Sequence, residues 1–459
     1  MKKTQLKQVA VNDNQIKYTL ANGGIFVKLS LVFMGISNIR FGQLIKGIGF
    51  LFMELAFIYY MIFAGASSLL NLITLGSRQQ SMVKDATGMF VVMQGENSMR
   101  LLLGGVATLL IIVVFAFVWV SSIKSALKVT NLYKNNKRVP TIIDDIKSLF
   151  DINIHKLLLF VPIVGLIVLT ILPLIYMILM AFTNYDSAHQ PPGKLFNWVG
   201  LDNFKKLLTS SDTLAKTFFP VLEWTIIWAI IATLSCYFGG ILLAILISSK
   251  GIRYKKMWRT IFVLSMAIPG FIGLLLLRGM LTSNGIVNIL LQNMGFISSP
   301  LPFWTNAIWA KATILFTNFW IGIPVTMLLT SGILVNIPSD LFESAKIDGA
   351  TPTKIFLKIT FPYIFFITTP TLITAFIGNI NNFNVIYFLT AGAPLNLHYF
   401  QGAGSTDILI TWLYKLTMQN GAFCYASAIG IVVFLISAIF SLITFRRSGA
   451  FKNEEGFQL

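Results

Sequence analysis

Charge is scarce in this sequence. Only 11% of its 459 residues are Asp, Glu, Lys or Arg, against roughly 25% in a soluble globular domain. Cysteine is scarcer still: Cys236 and Cys424 stand alone, which excludes a disulfide framework and any cysteine spacing suited to a metal. His155, His189 and His398 are too far apart in the chain to suggest a ligand cluster. Nothing matches a G-x-x-x-x-G-K-[ST] phosphate loop, so the chain is not expected to hydrolyse ATP. Paired carboxylates and nucleophile–base spacings are missing too, which argues against an intramembrane enzyme. There is no convincing internal repeat and no low-complexity tract. The opening MKKTQLKQVAVNDNQ lacks an apolar stretch and a small-residue cleavage site, so it is not expected to be a removable signal peptide.

What the sequence has instead is apolar length. Hydrophobic residues make up 56% of it, and a helix that crosses a bilayer needs about 20 of them in a row. Eight windows qualify, near 46–66, 101–123, 157–183, 224–249, 260–282, 312–333, 363–389 and 424–445. The expected fold is therefore all-α: a polytopic helical membrane protein with about eight spans. A shorter run, Gly24 to Ile36, carries Lys28 and is expected to be an interfacial helix. Pro173, Pro269, Pro324 and Pro370 fall within spans, where each removes a backbone donor and loosens its helix. Such breaks are tolerated where neighbours or a cavity satisfy the freed carbonyl.

The net charge of +18 follows from basic loops on one side of a membrane rather than from a nucleic-acid partner. With the N-terminus inside, Lys and Arg crowd the inner loops, as in the linker 124–156 with Lys124, Lys128, Lys134, Lys137, Arg138, Lys147 and Lys156. The N-terminal Lys2, Lys3, Lys7 and Lys17 and the tail residues Arg446, Arg447 and Lys452 fall on the same side. The outer loops are poorer in charge, and both termini are expected in the cytoplasm. Part of the linker has helical spacing, with Pro140 and Thr141 suited to its start. In the outer loop 184–220, FNWVGLDNF reads either as a short surface helix from Asp202 or as a plain connector.

The segment IPSDLFESAKIDGATPTKIFLKITFP, residues 337–362, reads as two short helices around a turn. Asp340 can cap the first, with Glu343 reaching back as in a capping box. Gly349 can end it in a left-handed conformation. Thr351 and Pro352 can open the second, which Pro362 would close. On these grounds alone, a knob that docks on another protein and an ordinary turn between spans are both open.

The spacing of Glu343-Ser344-Ala345, then Gly349, then Ile359 and Phe361-Pro362 resembles the signature loop of membrane subunits of binding-protein-dependent ATP-binding-cassette (ABC) importers. Ser344 and Phe361 depart from the usual Ala and Leu. The phrases IPGFIGLLLLRGML, TNFWIGIP, NINNFNVIYFLTAGAP and AGSTDILITWLYKLT are similar to the larger permease subunit of maltose/maltodextrin importers. The likeness covers roughly 157–446 and implies an architecture. Residues 1–156 would hold a cytoplasmic segment, the interfacial helix, two spans and the basic linker. Residues 157–446 would be a six-helix permease core with the coupling loop 337–362, and 447–459 a cytoplasmic tail.

The resemblance also implies sites and partners. Glu343, Ser344, Ala345, Asp348, Gly349 and Ala350 would form a helix that couples to an ATPase subunit. Ala375, Gly378, Asn379 and Asn382 on the seventh span, with Ile321, Gly322 and Val325 on the sixth, would line a mid-membrane sugar site. Ala375, Gly378 and Val325 depart from the family's hydroxyl and aromatic residues. The implied partners are a second permease, two ATPase subunits carrying ATP and Mg, and an extracellular sugar-binding protein, with no cofactor on this chain. The setting would be the cell membrane of a Gram-positive-type bacterium.

The residues themselves say less about IGNINNFN, Ile377 to Asn384. At about 1.5 Å per residue, Asn379 lies on the order of 24 Å along a span that begins at Pro362. Asn379 and Asn382 would share a helix face and avoid lipid. Sugar contact and helix-to-helix hydrogen bonding are both compatible with that. Asn381 and Asn384 are expected to be structural. Two rival functions remain, a permease of the same class for another solute and an ion-coupled carrier. The carrier predicts intramembrane acids near the site, and Glu54 is the only acid deep within a span.

Overall fold

A computed structural model describes residues 24–85, 88–209, 211–249 and 251–447. The basic N-terminal segment and most of the expected tail lie outside them. The chain divides into two compact units, 1–198 and 199–459. That boundary of contacts falls after Trp198 rather than at the expected 156/157. Among the described residues, seven helices are long and apolar enough to cross a membrane, and one bent pair makes an eighth candidate span.

The first unit opens with α1 (Ile25–Leu29) and α2 (Ile36–Arg40), where the sequence suggested one interfacial helix. The break has a local cause. Gly35 has a φ of 84°, in the left-handed region, and so closely approaches Gly47 that a β-carbon on either would overlap the other's backbone. Three spans follow: α3 (Leu44–Thr74), α4 (Ser98–Lys134) and α6 (Ile154–Met180). Between the last two lies α5 (Ile142–Phe150). It starts just after Thr141, as expected, and Thr141 and Asp144 form a capping box there, while Asp145 pairs with Lys46 of α3 at 2.9 Å. Glu54, buried in α3, accepts the Met34 N–H at 2.7 Å, and Trp119 of α4 donates to the Leu31 carbonyl at 3.0 Å. These two bonds satisfy backbone left open between α1 and α2. The loop from α3 to α4 carries an antiparallel hairpin, β1 (Ser81–Lys84) with β2 (Phe90–Met93).

The second unit begins with α7 (Asp202–Leu208), the surface helix that FNWVGLDNF allowed. Its core is built around α8 (Thr213–Ser248), which crosses α12 (Ala307–Asn336). The crossing is made close by glycine: Phe319 fills the space a side chain would take at Gly239, Thr326 does so at Gly240, and Cys236 does so at Gly322. Small residues let membrane helices approach in this way, where dispersion replaces the hydrophobic drive. Trp224, Trp228 and Ile314 from this pair are buried against Ile386 and Leu389.

The fifth expected span, 260–282, is not one straight helix. It is α9 (Lys255–Ala267) and α10 (Gly270–Met280), bent by 89° at Ile268–Pro269. Pro324 and Pro370 by contrast sit inside unbroken helices. After α10 come the short α11 (Ile286–Asn293) and then α12. The chain continues through α13 (Ser339–Ile347), α14 (Pro352–Ile355), a π-helical turn Phe356–Thr360, α15 (Phe361–Ile380) and α16 (Phe383–Thr390). It ends in α17 (Leu409–Met418) and α18 (Phe423–Arg447).

Candidate functional site

Two features of the second unit answer to the residues singled out in sequence. The first is α13 with its flanking turn. Pro338 stands at the N-cap, where no side chain caps the helix. Asp340 therefore lies in the first turn rather than at the cap, and no capping box with Glu343 forms. The helix begins one residue earlier, at Ser339, directly after Pro338 at φ −56° and ψ 130°. The far end is as expected. Gly349 has a φ of 72°. The Ala350 N–H donates to the Ala345 carbonyl at 2.9 Å, and the Gly349 N–H to the Lys346 carbonyl at 3.0 Å. This pair of bonds is the Schellman stop, which glycine favours because it has no β-carbon to clash.

No residue of α13 is buried. Glu343, Ser344, Asp348 and Gly349 are exposed, with Ala345 and Ala350 partly covered. Ile347 is 86% exposed at the helix end, and Glu343 makes no hydrogen bond or ion pair among the described residues. The result is a short, rigid knob with an apolar tip and an unpaired acid.

Thr351 then caps α14, its Oγ1 accepting the Lys354 N–H at 3.4 Å. Pro362 does not close this helix, contrary to expectation. The π turn Phe356–Thr360 carries the helix into α15, with Pro362 in the first turn of α15. A proline removes one donor and crowds the carbonyl four residues back, and widening the helix just before it accommodates both. Helical structure thus runs from Pro352 to Ile380, on the order of 40 Å at about 1.5 Å per residue.

The second feature is where that rod ends. The helix stops at Asn381, whose Nδ2 donates to the Ile377 carbonyl at 3.1 Å. Asn382 opens α16 as its cap, accepting the Val385 N–H at 3.3 Å. Asn379 and Asn382 thus lie on either side of a break rather than on one helix face. They still meet: Asn382 Nδ2 donates to Asn379 Oδ1 at 3.3 Å, and Asn379 Nδ2 donates to Thr233 Oγ1 of α8 at 2.9 Å. The Asn379 carbonyl, which takes the Asn382 N–H at 3.2 Å, also accepts from Trp228 Nε1 at 3.0 Å. Each amide keeps unused hydrogen-bonding capacity.

The expected sugar-site residues are not gathered in one place. Asn379 and Ala375 line a cavity of about 60 Å³ with Thr233, Tyr237 and Thr368. Asn382 and Ile321 line another of about 520 Å³, with Phe271, Asn384 and Phe388. Gly378 faces open space and Val325 is 52% exposed. Gly322 packs on Cys236 and lines neither cavity. Asn384, expected to be structural, lies in the larger cavity. Sequence reasoning also missed Thr233 and Trp228. Each is a polar-tipped residue within an apolar span, the one signal that could have drawn attention to them.

Comparison with known proteins bears on both features. Residues 237–447 match the family described as binding-protein-dependent transport system inner membrane component. The chain is 35% identical over 430 residues to the maltodextrin transport system permease protein MalC of Streptococcus pneumoniae, covering 92% of this chain and 95% of that one. It is 33% identical over 419 residues to the galactooligosaccharides transport system permease protein GanP of Bacillus subtilis, covering 90% and 94%. Among solved structures, a bacterial ABC transporter involved in importing the acidic polysaccharide alginate has a chain with a TM-score of 0.51 and 24% identity. That match covers 67% of this chain and 99% of the other, and it bears on the fold.

Proposed function

This chain belongs to the binding-protein-dependent transport system inner membrane components and is a permease subunit of an ABC importer, and from that premise we propose that it carries maltodextrin or a related oligosaccharide. One observation carries the mechanism: a helical rod joins the exposed knob α13 to the break at Asn379–Asn382. In this reading Glu343, Ser344, Ala345, Asp348, Gly349 and Ala350 dock on an ATPase subunit, with Ile347 as an apolar anchor. Closure of two such subunits on ATP and Mg pushes the knob. The rod transmits the push to the amide break, beyond which the short α16 moves more easily than it would in an unbroken helix. For the switch to move, each ligand must favour one state over the other.

The sugar contacts belong to the same reading. Asn379 and Asn382 offer hydroxyls their spare donors and acceptors, while Ala375, Gly378, Ile321, Gly322 and Val325 shape the path. The open faces of Gly378 and Val325 fit a path completed by a second permease. An extracellular binding protein delivers the sugar. The similarity to permeases of Streptococcus and Bacillus supports a Gram-positive-type membrane, and the basic inner loops support cytoplasmic termini. The likeness to a galactooligosaccharide permease at 33% identity favours a second reading, in which the cargo is another neutral oligosaccharide.

The test is to purify the chain with its partner permease, ATPases and binding protein, and to measure ATPase activity with maltotetraose or a galactotriose. Stimulation by one sugar names the cargo. A chain that purifies without ATPases and transports alone would overturn the proposal.

A further inference from the structure

We propose that Asn384, Phe388 and Phe271 form a second hexose-binding subsite, beyond Asn379 and Asn382 on the side away from α13. The proposal rests on the oligosaccharide reading above and deepens it. Asn384 and Phe388 are four residues apart on α16 and so share one face. The 89° bend at Ile268–Pro269 turns α10 so that Phe271, in its first turn, meets Phe388. Their ring centroids are 6.1 Å apart with planes tilted by 47°. The rings are not stacked on one another, and Phe271 is 49% exposed.

The cavity they line holds about 520 Å³, within the range of about 300–1,000 Å³ for small-molecule sites. Its polar groups are two amides. Asn384 makes no side-chain hydrogen bond among the described residues, and Asn382 Oδ1 holds only the Val385 N–H. A hexose ring has an apolar C–H face and a rim of hydroxyls. The electron-rich face of an aromatic ring suits the first, and an amide with both donors and an acceptor suits the second. The larger groove of about 900 Å³ along Ile230, Phe366, Phe376 and Phe440 has no amide in its lining and does not offer this pairing. A subsite so placed touches only sugars long enough to extend past Asn382.

The experiment uses the full complex held with a non-hydrolysable ATP analogue, and measures equilibrium binding of labelled maltose and maltotetraose. Phe388→Leu, which keeps bulk but removes the ring, is expected to weaken maltotetraose about tenfold, equivalent to about 1.4 kcal/mol. Maltose binding should change less than twofold, and Phe388→Trp should restore the longer sugar. Asn384→Ala, at an exposed position, should lower maltotetraose binding in the same selective way, and it carries the test if Phe388→Leu does not assemble. Unchanged binding in both variants, or equal loss of both sugars, overturns the subsite while leaving the oligosaccharide reading intact. A parent complex that binds neither sugar overturns that reading and the subsite with it.

Discussion

Lys415 Nζ lies 2.6 Å from Asp407 Oδ2, with the two side chains 8% and 0% exposed. The pair joins α17 to the loop that precedes it. Asp407 also accepts from the Gly404 N–H at 2.6 Å and the Thr411 hydroxyl at 2.9 Å, while Lys415 donates to the Gly402 carbonyl at 3.2 Å. Removing one partner leaves the other charge buried alone, which costs about 3–5 kcal/mol. Asp407→Asn should therefore lower the thermal unfolding midpoint in detergent by several degrees. Replacing both charges together, as Asp407→Leu with Lys415→Met, should recover much of the loss. A single variant as stable as the parent would show that the pair is dispensable.

Glu54 is a test of a different kind, because its partner is backbone. Glu54→Leu leaves the Met34 N–H without its acceptor, at a cost of about 1–3 kcal/mol. Glu54→Gln keeps an acceptor oxygen and should be milder. Hydrogen exchange at the Met34 amide should quicken in the leucine variant and stay close to the parent in the glutamine one.

Glu96 gives the loop between α3 and α4 a pH dependence. Hydrogen bonds from the Ser77 and Arg78 N–H groups hold its carboxyl below the usual carboxylate value. A carboxylate with a depressed folded value stabilises the closed loop fully above its unfolded value of about 4.3. That contribution is lost as pH falls through the lower, folded value. Amide exchange at Ser77 and Arg78 should stay slow at pH 5 and rise only as pH falls below the unfolded value of about 4.3. In Glu96→Gln it should no longer vary with pH in that window beyond the intrinsic chemistry. Opening already at pH 5 would contradict the assignment.

Asn382 separates a cap from a sugar contact. Asn382→Ser retains an oxygen for the Val385 N–H, whereas Asn382→Leu loses the cap at about 1 kcal/mol and strands Asn379 Oδ1. If the amide also touches sugar, serine should restore stability but leave maltotetraose binding several-fold weaker. Full recovery of binding by serine would reduce Asn382 to a structural role.

Gly349 tests the knob. Any side chain at a φ of 72° is strained, by roughly 1–2 kcal/mol for ordinary residues, and more for one branched at the β-carbon. Gly349→Val should loosen the Schellman turn and lower sugar uptake at least tenfold, while equilibrium sugar binding by the complex changes less than twofold. Uptake equal to the parent's would remove α13 from the coupling path.

Much was settled along the chain itself. Apolar length placed the seven helices long enough to cross a membrane and the bent pair that makes an eighth candidate, because lipid leaves backbone polar groups no partner except their own helix. Thr351, Pro352 and Gly349 placed the turn of the α13 knob, because caps act over three or four residues. Where the cues were local but competing, the outcome differed, as when Pro338 took the cap position from Asp340 and a π turn absorbed Pro362. Tertiary structure alone decided the rest. Pro269 bends its span by 89° while Pro324 and Pro370 leave theirs unbroken, since a freed carbonyl depends on neighbours that sequence does not name. The break at Asn381 is held by Trp228 and Thr233, about 150 residues away. That Gly322 packs against Cys236 of α8 is likewise decided by the crossing of the two helices. Phe271 and Phe388 became a pair through the bend at Pro269. Helix ends are written in neighbouring residues, but which side chain faces a cavity is fixed only when distant helices meet.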